Sequence, residues 1–156
     1  MINNAADVTS QPLADTSLTE IDSIIRTNVT GALLLARLLI PGMLERGGGA
    51  IVNIFSLAGY KPNPTETVYS VSKSAVNRMS DALRAEFGAQ GIHVLNVALA
   101  SVAIEGPANA GKVPIEAGAE AIERALERRQ DELFFSRVTK WLMRLYKAYP
   151  PLMNLR

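Results

Sequence analysis

Two kinds of apolar pattern alternate along the chain. Residues 50–55 and 92–99 are mostly apolar, with no regular polar alternation, as expected of strands covered on both faces of a parallel sheet. Between them Val68, Val71, Ala75, Met79 and Leu83 recur three and four apart, which predicts a helix over 67–87 closed by Gly88 and Gly91. Upstream, Ser17, Leu18, Thr19 and Glu20 have the form of a capping box, in which the serine side chain and the glutamate satisfy each other's free amides. An apolar face begins at Leu18, Ile21, Ile24 and Ile25, resumes at Leu33, Leu34 and Leu38, and reaches Met43 and Leu44. It predicts a long helix over 17–46, kinked or broken near Asn28 and Pro41 and stopped by Gly47, Gly48 and Gly49.

Met1 and Ile2 read as the end of a strand, followed by a polar loop to Thr16. After residue 99 come a loop with Gly106, Pro107, Gly111 and Pro114, a helix over 115–129, and a short strand around Leu133, Phe134 and Phe135. Strands alternating with helices predict an α/β fold with a parallel, Rossmann-like sheet.

The last stretch, 137–156, has five basic and no acidic side chains. Val138, Trp141, Leu142, Leu145 and Tyr149 fall on one side of a helix, with Arg137, Lys140, Arg144 and Lys147 on the other. It predicts a basic amphipathic helix ended by Pro150 and Pro151. Such a helix packs on the fold or on a partner subunit, or lies on an anionic membrane surface. The chain divides into 1–136, an α/β unit, and 137–156, a helical extension.

Composition narrows the function classes. At 156 residues and 48% hydrophobic the chain is the size of one domain with a core of its own. A net charge of +1 with both signs interspersed gives no field for nucleic acid. Without cysteine there is no disulfide, thiolate nucleophile or cysteine metal site. The one histidine, His93, lies inside an apolar run and argues against a metal cluster or a Ser-His-Asp triad. The N-terminus lacks the basic and apolar regions of a signal peptide, and the apolar run 32–40 is short and broken by Arg37. The expectation is a soluble, cytoplasmic protein, with peripheral membrane attachment through 137–156 as an option.

The chemistry gathers around Ser56, Tyr69 and Lys73. Ser56 ends the first apolar strand, Tyr69 follows thirteen residues later, and Lys73 lies four beyond it on one helix face. A phenol with a pKa of about 10 is a poor base unless a nearby cation stabilises its phenolate, and Lys73 is placed to be that cation. A serine hydroxyl at the strand's end could hold a carbonyl or alcohol oxygen against the phenol, as carbinol proton transfer requires. Tyrosine and lysine four apart also occur as a plain surface pair on helices.

Four motifs in order resemble the short-chain dehydrogenase/reductase family. Asn3, Asn4, Ala5 and Ala6 are similar to the family's NNAG turn, Asn28 matches the asparagine of the catalytic tetrad, Ser56 the serine, and Tyr69 and Lys73 the YxxxK pair. The resemblance implies hydride transfer between NAD or NADP and a small-molecule alcohol or carbonyl. Tyr69 would be the acid/base, Lys73 would lower its pKa and bond the nicotinamide ribose, Ser56 would orient the substrate oxygen, and Asn28 would hold a water in a proton relay. Asn3 and Ala5, with Tyr69 and Lys73, would contact the cofactor. The helices 17–46 and 67–87 match those the family uses for subunit contacts, which implies a homo- or hetero-oligomer.

The sequence also departs from the family pattern. The glycine-rich TGxxxGxG turn after the family's first strand has no counterpart, and the chain begins at the fourth strand. On the order of 80 to 100 residues are then missing, at ~30 per βαβ unit, which leaves an apolar sheet edge and an uncovered sheet face. Ala6 stands for a glycine, Ala100 and Ser101 for Pro-Gly, and Glu105 near a threonine that contacts the carboxamide. The choice between NAD and NADP lies in the missing part. Residues 57–66 and 102–113 should line the substrate pocket. The expectation is a fragment of an oxidoreductase; the alternative is a catalytically inactive interaction module derived from one.

Overall fold

The computed structural model describes residues 1–99 and 113–148. The expectations placed on Ala100, Ser101, Glu105, the pocket stretch up to residue 112, Tyr149, Pro150 and Pro151 lie outside the described residues. Four strands, β1 (Ile2–Asn3), β2 (Gly49–Ser56), β3 (Ile92–Leu99) and β4 (Glu132–Phe134), form one parallel sheet in the order β1-β2-β3-β4. The helices are α1 (Leu18–Ile25), α2 (Gly31–Glu45), α3 (Thr67–Phe87), α4 (Ile115–Glu127) and α5 (Arg137–Ala148).

Strand alternation splits the core in two. Ile51 and Phe55 of β2 and Ile92, Val94 and Ala98 of β3 pack under α2 and α3, whereas Val52, Leu95 and Val97 meet Ala125 and Ile122 of α4 on the other face. Both faces of β2 are covered: Ile51, Val52 and Phe55 are at most 1% exposed. The expected bare face is therefore not seen there, and exposed apolar surface lies at Ile2 and on the helices instead.

The capping box forms as expected, Ser17 Oγ accepting from the Glu20 amide at 3.2 Å and the Ser17 amide donating to Glu20 Oε2 at 2.9 Å. The helix then continues without a break through a π-helical turn, Arg26–Thr30, into α2. By length and composition alone, this 28-residue run is apolar enough to cross a membrane. Its buried stripe, however, is Ile24, Asn28, Ala32, Ala36, Ile40 and Met43, which packs on the sheet. The leucines expected on that face point outward, Leu34 being 55% and Leu38 68% exposed. Small alanines bring the helix close to the sheet, and the bulkier leucines are left on the far side.

One row of the sheet is polar. Asn3, Asn53, Asn96 and Glu132 are register partners across the four strands. Asn3 donates to Asn53, Asn53 to Ser80 of α3 at 2.7 Å, and Asn96 to Asn77 of α3 at 2.9 Å. Buried amides cost free energy unless paired, so these bonds fix the height of α3 above the sheet, and with it Tyr69 and Lys73.

Candidate active site

Ser56 ends β2 and caps the short 3-10 turn Leu57–Gly59, its Oγ accepting from the Ala58 amide at 3.2 Å. Two contacts press that turn against α3. Ser74 Oγ donates to the Gly59 carbonyl at 2.8 Å, and Gly59 lies so near the helix that a Cβ there would stand 2.8 Å from the Lys73 carbonyl carbon. The turn is also held from the far side. Tyr60 is buried between Phe55 and Phe134, with ring centroids 5.4 and 6.0 Å away, and its hydroxyl donates to Glu132 at 3.0 Å.

Tyr69 and Lys73 lie one helical turn apart on α3; Tyr69 interacts with Ser56, and Lys73 reaches the carbonyl of Ile54, two residues before it on β2. The ammonium of Lys73 lies 5.5 Å from the centre of the Tyr69 ring and donates to the Ile54 carbonyl at 3.3 Å, and the residue is only 4% exposed. Burial lowers the Lys73 pKa, since an ammonium loses its hydration there. Burial likewise raises the Tyr69 pKa; the hydrogen bond with Ser56 works in the opposite direction, and Glu66 adds to the rise. In this state burial, rather than the neighbouring ammonium, sets the balance at the phenol, which stays protonated at neutral pH.

Asn28 sits inside the π-turn and is 3% exposed. Its Oδ1 accepts from the Asp7 amide at 2.7 Å, and its Nδ2 donates to the Asp7 carbonyl at 2.8 Å and to Ser72 Oγ at 2.9 Å. The carboxamide thus clamps the loop after β1 onto α3, and both its donors are engaged. A π-turn replaces the usual four-residue bonds with five-residue ones, and beside it lies a cavity of about 80 Å³ lined by Asn3, Ala5, Thr27, Asn28 and Lys73 among others. Ample room for water remains there, at roughly 10–15 Å³ per molecule.

Of the stretch expected to line a substrate pocket, Pro62, Asn63 and Pro64 face a different groove, shared with Thr67, Ser70, Val71 and Ser74. Gly59, Tyr60 and Ser72 are supports of the site that the sequence did not single out. A glycine three residues past Ser56 was the one visible signal among them; Tyr60 and Glu132 are 72 residues apart, with no spacing to betray the pair.

A sequence profile described as short chain dehydrogenase matches residues 1–112. The chain is 35% identical over 159 residues to the ketoacyl reductase HetN of Nostoc sp., covering 95% of this chain and 55% of that protein. Among solved structures, the bulky-bulky ketone specific alcohol dehydrogenase from Comamonas testosteroni superposes with a TM-score of 0.81 at 25% identity, over 99% of this chain and 62% of that one. A short-chain dehydrogenase from Sphingobium yanoikuyae, solved in complex with NADPH, gives 0.79 at 27% identity, over 99% and 65%. The chain spans about half the length of the curated relatives it matches. Because the profile match runs through every residue of the cluster around Ser56, Tyr69 and Lys73, the chain belongs to the short-chain dehydrogenase family of oxidoreductases.

Proposed function

We propose that this chain carries the proton-transfer site of an NAD(P)-dependent oxidoreductase that interconverts an alcohol and a carbonyl by hydride transfer. The observation behind it is the junction of a half-buried, protonated Tyr69, a neighbouring Ser56 and a buried Lys73 at the C-terminal end of β2, where parallel α/β sheets bind their ligands. The donor chemistry fits a nicotinamide nucleotide. Lys73 spends one hydrogen bond on Ile54 and has three to give, and it shares a cavity with Asn3 and Ala5. Asn3, Ala5, Tyr69 and Lys73 would hold the nicotinamide end, which supplies the hydride when bound.

In the reducing direction Ser56 donates a hydrogen bond to the substrate carbonyl oxygen. Tyr69 gives that oxygen its proton as the carbon gains hydride, and the resulting phenolate is stabilised by Lys73. Water in the cavity lined by Asn28 and Lys73 returns the proton through Lys73; Asn28 Oδ1, which accepts one hydrogen bond, keeps a lone pair for it. Tyr69→Phe should abolish reduction of small ketones while leaving cofactor binding nearly intact, whereas Lys73→Ala should harm both. Normal turnover by Tyr69→Phe would remove Tyr69 from its role.

Self-association through α2 and α3 belongs to the same proposal. Leu33, Leu34, Leu38 and Val71 are 46, 55, 68 and 57% exposed. Of these, Leu33 lines an apolar groove between the two helices that carries Arg37 and Glu86 on its walls, opposite charges that a second copy related by a twofold axis would pair. Sedimentation should show an oligomer that Leu38→Glu dissociates; a monomer at tens of micromolar would refute it. An oligomer without turnover in any form would make the chain an inactive interaction module.

A further inference from the structure

We propose that the outer face of α5 is a docking surface for an anionic phospholipid bilayer. The helix has two faces of different character. Met143 is 7% exposed and joins the core with Leu142, and Arg144 reaches Glu132 of β4 at 3.4 Å, so the element is fixed to the fold. The side away from the core is bare: Val138 is 67% and Trp141 64% exposed and Arg137 is exposed, while Arg144, at its margin, pairs with Glu132 and still leaves 64% of its side chain in solvent.

At about 100° per residue, Arg144, Arg137, Trp141 and Val138 lie in that order across roughly a third of the helix circumference. The arc therefore grades from two guanidiniums to an indole and a valine. Of the apolar stripe read from the sequence, Leu142 packs on the core, whereas Val138 and Trp141 are exposed and adjoin the basic residues. An indole beside arginines suits the boundary between headgroups and acyl chains, where the ring is buried and the cations meet lipid phosphate. Charge selects the occupant. The segment 137–156 has no acidic side chain, so a surface dense in negative charge is favoured over a second copy of the same face, which would oppose arginine to arginine.

Trp141 is the one tryptophan of the chain and reports the contact directly. The full chain should pellet with vesicles of phosphatidylcholine containing phosphatidylserine but not with phosphatidylcholine alone. Trp141 emission should shift to the blue and be quenched by brominated acyl chains, and Trp141→Phe should abolish that signal. Arg137→Gln, an exposed site, should weaken partitioning about fivefold, the effect of one cation near the surface, with an unchanged far-ultraviolet dichroism spectrum. Equal pelleting on neutral and anionic vesicles, or an unshifted emission maximum, overturns the proposal. An emission already blue-shifted without lipid, in a dimer that Trp141→Ala dissociates, overturns it in favour of a second copy.

Discussion

Replacing Gly59 by alanine tests how Ser56 is held. The added Cβ would lie 2.8 Å from the Lys73 carbonyl carbon, 2.9 Å from its oxygen and 3.1 Å from the Ser74 amide nitrogen. All three are helix backbone, so nothing can swing aside, and the serine turn must lift off α3. Overpacking of this kind costs about 1–3 kcal/mol, and loss of the Ser74 bond to the Gly59 carbonyl adds about 1 kcal/mol. The expected destabilisation is roughly 2–4 kcal/mol, read as a lower urea midpoint at constant slope. Turnover should fall further than stability does, because a shift of about 1 Å in a positioning group can cost on the order of 100-fold. Gly88→Ala is the control: it has an open surround and right-handed backbone, and should be neutral or stabilising by up to about 1 kcal/mol. If the two substitutions behave alike, the serine turn is not wedged against the helix.

Other positions give separate checks. Asn28→Ala leaves the Asp7 peptide and the Ser72 hydroxyl without their partner and should cost roughly 2–4 kcal/mol in urea unfolding, at about 1–3 kcal/mol per stranded group; a loss below 0.5 kcal/mol, well under that per-group figure of about 1, would contradict the clamp. Ser17→Ala removes the capping box and should cost about 1 kcal/mol, with no change in turnover. Lys73 has a folded-state pKa below its ordinary value, so the unfolded chain binds the extra proton and stability gains as pH rises toward about 10.4. Urea midpoints followed as pH rises toward about 10.4 should lose that upward contribution in Lys73→Met; identical slopes would mean the ammonium is not desolvated.

The regular elements were largely legible because their apolar spacing is strong. The helix over 67–87 and the strand over 92–99 appear with the expected bounds, and Lys73 lies over the Tyr69 ring, one helical turn away. Periodicity failed where a residue's face depends on size rather than polarity. Leu34 and Leu38 are exposed while Ala32 and Ala36 are buried, since only small side chains allow α2 its close approach. It failed again where polar residues are inside: Asn53 and Asn96 are fully buried yet stand in runs that read as plain apolar strand. The π-turn registered only as an interruption at Asn28, because its five-residue bonding has no composition of its own. Trp141 and Leu142 share the stripe that the sequence left open to the fold, a partner or a membrane; Leu142 packs on the core with Met143, whereas Trp141 is exposed.

Transfer of deuterium from a nicotinamide cofactor labelled at C4 to the carbonyl carbon of a small ketone, catalysed by the full-length protein, tests the central claim most directly. Label at the carbinol carbon in the native protein, and none with Tyr69→Phe despite retained cofactor binding, is the predicted result. Absence of label with every ketone tried, or equal label in the Tyr69→Phe variant, would contradict it.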